Sequence, residues 1–444
     1  MIGPRRFIDY RTALLLVVAN MIGTGVFTTL GLQAEAVPDG ASLLLLWLLG
    51  AVVALCGALS YAELVAAVPR SGGEYHFLSR IYHPALGRLA GLVSVTVGFA
   101  APVALAAMAL GRYVSIFIPV DPLLVALGAV LAVTAMHAVE VELGRAFQIA
   151  ATWLKVAAIL LFSVVALAYG RVSGSLSPLP TVDTPDWVLS APFGLSLIYV
   201  SYAYAGWNAA AYVAEEVRDP ARTVPRALVR GTLTVAVLYL LLNLAFLRTI
   251  GLEDLAGTVE VGALSARTVF GDTGGMVFSL MLSLLLVSTI SAMVLAGPRV
   301  LRTMGEDIPA LRALGACNRR GAPTRAILLQ QGLSVLLILT DSFEAVLTFA
   351  GFTLTLFACM TVAGVFRLRV REPALPRPFR VPLYPLPPLV FVLVNAAALL
   401  AVAWERPRTA LIVLALLGVG GFLLYPRSRR AQHPSGLRRG RDDP

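Results

Sequence analysis

Apolar stretches of about twenty residues, parted by short polar connections, run along nearly the whole chain. Crossing a hydrocarbon core of about 30 Å takes about 20 helical residues, and that length fits twelve segments. They fall near 10–34, 41–66, 86–118, 121–139, 144–170, 191–214, 227–250, 274–303, 324–341, 343–366, 386–404 and 408–425. The turn at 119–122 is very short, and the third segment is long enough to tilt. The pattern predicts an all-α membrane protein with about twelve spans. Arg5-Arg6 ahead of the apolar run at 13–19 mimics a signal peptide, but no small-x-small site follows and the run continues to Leu32. A first spanning helix that doubles as the targeting signal is the expectation. The connection at 251–275 reads as an outer loop with a short helix over the outer mouth.

Composition agrees. Of 444 residues, 58% are apolar and 14% charged, against about a quarter charged in soluble domains. The net charge of +10 would suit nucleic acid, but the arginines sit in short runs between apolar stretches. With a cytoplasmic N-terminus, 28 arginines face inward and six (Arg112, Arg171, Arg248, Arg267, Arg406, Arg408) outward. That asymmetry predicts both termini in the cytoplasm, in the inner (plasma) membrane of the cell. The Arg-rich tail, 426–444, is expected to be solvated and to touch anionic lipid. Cys56, Cys317 and Cys359 match no disulfide or metal spacing, and the four histidines are scattered, so neither metal nor cofactor is expected. The expected partners are a small molecule and the bilayer, not nucleic acid; oligomeric state is left open.

Two spans are interrupted, the first by Gly23-Thr24-Gly25 and the sixth by Ala205-Gly206-Trp207-Asn208. They lie five helices apart. Five is odd, so the sixth span enters from the side opposite to the first, as an inverted repeat requires. Paired interruptions at corresponding places are the best sequence pointer to a transporter site. A broken helix in a membrane exposes N–H and C=O groups that only ligand, water or protein can satisfy. N–H groups after Gly23-Thr24-Gly25 suit a carboxylate, and carbonyls near Met21 and Tyr202–Ala205 suit an ammonium. Together they describe a receptor for an α-amino acid zwitterion, built from main chain. Glycine allows close approach, and Thr24 adds a hydroxyl.

The motifs Asn20-Met-Ile-Gly-Thr-Gly-Val-Phe27, Tyr61-Ala-Glu-Leu, Pro69-Arg-Ser-Gly-Gly-Glu-Tyr75, Tyr204-Ala-Gly-Trp-Asn208 and Glu215-Glu-Val-Arg-Asp-Pro220 together resemble the amino acid–polyamine–organocation (APC) superfamily. Gly297-Pro-Arg-Val-Leu-Arg302 and Arg377-Pro-Phe-Arg380 extend the likeness, which covers about residues 8–390. Gly206-Trp207-Asn208 and Lys155 look closest to bacterial relatives of L-type amino acid transporters. The resemblance implies a LeuT-type fold: a five-helix repeat over 1–170, its inverted copy over 191–366, and two further helices over 386–425. It also implies that Thr24 and Gly25 hold the substrate carboxylate, that carbonyls of Met21, Tyr202 and Ala205 hold the amine, and that Gly23 belongs to the same binding segment. Tyr202 would be an aromatic gate, and Ile22, Gly206, Trp207 and Asn208 would complete the unwound segments. Relatives often carry Gly where this chain has Ala205, which narrows the pocket.

Lys155 is the one lysine, and it lies inside an apolar stretch. A charge at bilayer depth costs at least about 2.5–3.5 kcal/mol, so it needs partners or must be neutral part of the time. The resemblance implies that it stands where sodium-coupled relatives hold an ion, touching first-span carbonyls and hydroxyls among Ser288, Thr289 and Ser291. Sodium would then be unnecessary. Fixed strut and proton site both stay open. The middles of spans 1, 3, 6, 8 and 10 contain no Asp or Glu, and no Arg or further Lys, which favours a neutral amino acid. Phe99, Ser94 and Thr96 could shape the pocket. The reading is a neutral amino acid carrier working by alternating access, as exchanger or proton-coupled symporter; an exporter or a polyamine or organic-cation carrier is the alternative. An intramembrane enzyme would need a polar catalytic cluster at depth, and the sequence offers none.

Overall fold

The computed structural model describes residues 8–139, 143–168, 176–308, 311–318 and 323–424; the tail at 426–444 and the pair Arg5-Arg6 lie outside them. Among the described residues the chain is helical, with one isolated β-bridge, Ile8 to Val217. The first span is two helices, α1 (Tyr10–Met21) and α2 (Gly25–Ala36). Asp9 caps α1 by accepting the Thr12 N–H at 2.9 Å, which fixes its start. Asp39 caps α3 (Gly40–Ala67) in the same way through the Ser42 N–H at 2.8 Å.

A short helix unforeseen in the apolar pattern, α4 (Glu74–Ile81), follows the Gly72-Gly73 turn. The third span runs through α5 (Pro84–Val93), a π-helical turn (Ser94–Phe99) and α6 (Ala100–Ser115). Next come α7 (Pro122–Val139), α8 (Leu143–Ala168) and the short α9 (Thr184–Val188). The sixth span stops at the end of α10 (Ala191–Ala203), turns over 204–208, and resumes as a 3-10 helix, Ala209–Glu216. Then α11 (Pro220–Thr249) leads to α12 (Leu252–Leu255) and the long α13 (Val261–Asp307). Gly271, at φ +73°, bends α13, so the connection at 251–275 holds α12 and a helical arm before that bend. The chain finishes with α14 (Arg312–Gly315), α15 (Thr324–Ile338), α16 (Phe343–Arg371), α17 (Leu386–Glu405) and α18 (Pro407–Leu424).

Among the described residues, eight helical stretches are long and apolar enough to cross a membrane, with three shorter apolar helices besides. Their outward faces carry Leu161, Leu400, Leu411 and Leu416, all more than half exposed. Water would penalise such a belt, and acyl chains would not. The interior is built on α3 against α11, α1 against α11, and α13 against α6. Several polar side chains inside bond along their own helices: Thr28 and Thr29 donate at 2.9 Å to the carbonyls of Thr24 and Gly25. Gln33 continues this chain by donating to Thr29 and accepting the Trp47 indole N–H at 2.9 Å.

At one end of the bundle, Glu63 is 1% exposed and joins α3 to α16. It accepts from Arg369 at 2.8 and 2.5 Å and from the Val381 N–H at 2.7 Å, with Arg377 at 3.5 Å. Arg369 also lies 3.7 Å over the Tyr384 ring.

Candidate functional site

Both interruptions open onto one cavity of about 160 Å³. Met21, Gly23, Thr24 and Gly25 line it from the first span, and Tyr202, Ala205, Gly206, Trp207 and Asn208 from the sixth. Ile22 is fully buried and contributes its carbonyl elsewhere. α2 begins at Gly25 with no side-chain cap, so the first N–H groups of this half-helix have no helical acceptor of their own. The sixth-span turn depends on Gly206, whose φ of +100° disfavours other residues. A Cβ there would stand 2.7 Å from the Asn20 backbone, so the two breaks press against each other.

Gly25 answers to packing as well as to ligand. A Cβ at that position would sit 2.5 Å from Cα of Ala203, where α2 meets α10. Gly23 is looser, with its nearest neighbour the Thr289 methyl at 3.7 Å.

Tyr239 of α11 joins the breaks. Its hydroxyl lies 2.5 Å from the Met21 carbonyl and 3.3 Å from that of Ala203. The Met21 carbonyl also accepts the Gly23 N–H at 2.8 Å, so both its lone pairs are engaged. The Tyr202 carbonyl accepts the Ala205 N–H at 2.9 Å and is also reached by the Tyr204 N–H.

Lys155 is 1% exposed and donates to the Ile22 carbonyl at 3.0 Å and the Thr289 hydroxyl at 2.8 Å. One ammonium thus ties α8 to the first break and to α13. Ser288 is buried nearby in sequence, while Ser291 is engaged by His137 of α7, Nε2 to Oγ 2.8 Å. Of the three candidate hydroxyls, Thr289 therefore meets the lysine and Ser291 does not, because Ser291 faces α7.

The far wall is mostly apolar: Gly98, Phe99 and Pro102 from the third span, Met293 and Ala296 from α13, Leu354 and Ala358 from α16. The π turn ends at Phe99, whose ring meets Tyr212 edge-on at 5.8 Å between centroids. Such turns shift the following face relative to an unbroken α-helix. Ser94 is buried and Thr96 bonds back to the Leu92 carbonyl, so neither lines the cavity.

Sequence reasoning missed Glu74. It reaches the cavity from α4, outside the spans whose middles are free of acids. Its carboxylate accepts from the Tyr61 hydroxyl and the Asn208 amide, each at 2.6 Å, and from the Tyr212 hydroxyl. Arg299, 3.9 Å from Glu216, also lines the cavity. The Gly-Gly turn before Glu74 was visible in sequence, but not the neighbours it would meet. Trp207 packs edge-on against Tyr61 at 4.8 Å and Phe391 at 6.0 Å, which holds the unwound stretch from outside.

Residues 8–422 match the family described as "Amino acid permease". The b(0,+)-type amino acid transporter 1 of Mus musculus is 26% identical over 429 residues, 93% of this chain and 86% of that protein. The serine/threonine exchanger SteT of Bacillus subtilis (strain 168) is 27% identical over 397 residues, 88% of this chain and 89% of its own. The large neutral amino acids transporter small subunit 2 of Rattus norvegicus is 28% identical over 434 residues, 91% of this chain and 77% of its own. The chain belongs to the amino acid permease family, and it is a multi-pass membrane protein.

Proposed function

We propose that this permease is a sodium-independent carrier of neutral amino acids that works by alternating access, as an exchanger or a proton-coupled symporter. The observation that carries the reading is the meeting of two interrupted helices at one cavity, with Lys155 tied to the first break. The N–H groups at Thr24 and Gly25 would receive the substrate carboxylate, helped by the positive end of α2. Its ammonium would go to the carbonyls of Met21, Tyr202 and Ala205, which meet at the two breaks. Trp207 and Asn208 would hold the turn, and Tyr202 would cover the bound molecule. In this reading the chain forms twelve spans as two inverted five-helix repeats plus α17 and α18, in the inner membrane with both termini cytoplasmic.

Two features support a neutral side chain. The wall formed by Phe99, Pro102, Met293 and Leu354 is apolar. Glu74 already accepts from three donors, and Arg299 stands in the same cavity to oppose a cation. Amino acid transport itself is supported by the b(0,+)-type transporter and the serine/threonine exchanger, relatives that span most of this chain. The lysine supports sodium independence, because a fixed ammonium offers at the break the charge that an ion would bring.

The test is reconstitution into liposomes loaded with unlabelled amino acid, with labelled uptake measured in sodium and in choline buffers. Equal exchange in both is expected for neutral substrates. Strict sodium dependence, or uptake of polyamines in place of amino acids, would overturn the proposal. A thermal-shift screen of the purified protein against the twenty amino acids identifies the substrate, because a ligand stabilises the state it binds.

A further inference from the structure

We propose that Glu74 is a positioning residue of the transport site, fixing the unwound stretch of the sixth span through Asn208 and Tyr212. The inference rests on the reading that this cavity holds the carried amino acid. Glu74 is 6% exposed, and three donors converge on it from three places. Tyr61 comes from α3, Asn208 from the unwound turn and Tyr212 from the 3-10 helix that follows it. Among the described residues no ion pair involves Glu74, so hydrogen bonds from neutral groups are what compensate its burial.

The approach is built into the turn. Gly72 and Gly73 have φ of +110° and +53°, and a Cβ on Gly73 would stand 2.6 Å from the Tyr212 ring. The Gly72 N–H reaches the Tyr212 carbonyl at 3.2 Å, and Ser71 and Glu215 exchange hydrogen bonds at 3.3 and 3.0 Å. The segment from 71 to 74 therefore grips the sixth span just before the 3-10 helix and along it. A carboxylate can accept from Asn208 and both tyrosines at once, which no other side chain of its length does without giving up an acceptor site. Asn208 lies three residues after Ala205 in the same short turn, and both line the cavity, so an anchor on one restrains the other. Losing the carboxylate loosens a binding surface and leaves the spans themselves intact.

The experiment compares the unmutated protein with Glu74→Gln, Tyr212→Phe and the double variant, reading melting temperature, exchange KM and maximal rate in liposomes. Glu74→Gln is expected to melt within a few degrees of the parent yet raise KM about tenfold or more, as loss of a hydrogen bond to a charged group does. Tyr212→Phe should raise KM in the same direction by less, and the double variant should add little to Glu74→Gln, since both act through one contact. An unchanged KM in Glu74→Gln, or strict additivity in the double variant, overturns the proposal. If Glu74→Gln does not fold, Tyr212→Phe decides: raised KM supports the inference and parental KM refutes it. An unmutated protein that binds no amino acid would instead refute the transport reading itself.

Discussion

The ammonium of Lys155 stands 2.8 Å from the hydroxyl of Thr289, and its second acceptor is the carbonyl of Ile22 at 3.0 Å. A residue from α8 thus connects α13 to the place where the first span comes apart. In an apolar interior each contact is worth more than in water, and losing it leaves an acceptor unsatisfied.

Replacing Lys155 with Ala should reduce exchange by about 10- to 100-fold, the range for removing a charged donor from buried acceptors. Lys155→Met fills most of the volume and should be equally inactive while melting closer to the parent. Exchange assays beside melting curves check this. Normal transport by either variant across the pH range would reduce the lysine to a structural role.

The two glycines of the first break should behave differently. Gly25→Ala drives a methyl against Ala203 and should destabilise the protein by about 1–3 kcal/mol, as overpacking does. Gly23→Ala has room beside Thr289 and should leave the melting temperature unchanged while raising the exchange KM. Equal melting losses in both would mean that α2 and α10 can separate to admit a side chain.

Glu63 should matter for folding far more than its distance from the cavity suggests. Glu63→Gln leaves Arg369 and Arg377 facing an uncharged partner and should cost about 3–5 kcal/mol, typical of breaking one side of a buried pair. Chemical denaturation in detergent measures it. The double variant Glu63→Gln with Arg369→Gln should lose less than the sum of the single changes.

Stability should also fall in acid through His76 on α4, which lies between the second and third spans. Burial, helped by the nearby Arg70, lowers its pKa to about 4, and its Nε2 has no partner among the described residues. The unfolded chain takes up this proton near the usual value of about 6.5 and the folded one does not. The stabilisation is therefore complete above about pH 6.5 and lost progressively down to about pH 4, up to about 3 kcal/mol. Melting curves from pH 7.5 to 4 should show the decline, and His76→Gln should flatten it. An unchanged profile in that variant would assign the acid sensitivity to carboxylates.

What the sequence disclosed followed from the cost of violating a membrane. Gly23-Thr24-Gly25 and Gly206 stood out because apolar helices seldom stop midway, and Lys155 because charge at depth needs a partner. The structure brings all of these except Lys155 and Ile22 to the cavity wall, and sets those two against each other just behind it. Glu74 and Tyr239 were hidden for opposite reasons. Glu74 lies in a polar connection where acids are ordinary, and only the Gly72-Gly73 turn carries it inward. Tyr239 lies in an apolar span where a tyrosine is ordinary, and only its two carbonyl partners give it meaning. The pairing of Ser291 with His137 was equally invisible, because spacing along α13 does not say which neighbour each hydroxyl faces.

The π turn at Ser94–Phe99 makes the third span sensitive to counting. Deleting one residue there would restore ordinary α-helical hydrogen bonding with both halves nearly in place. Deleting one from the regular helix beside it would instead rotate one half of the span against the other by about 100° with a rise of about 1.5 Å. Phe99 would swing off the wall and a neighbour would take its place, although no other amino acid had been exchanged. Selectivity in this permease can therefore drift by insertion and deletion as well as by substitution, and alignments that slide a gap across 94–99 would compare residues that never face the same ligand.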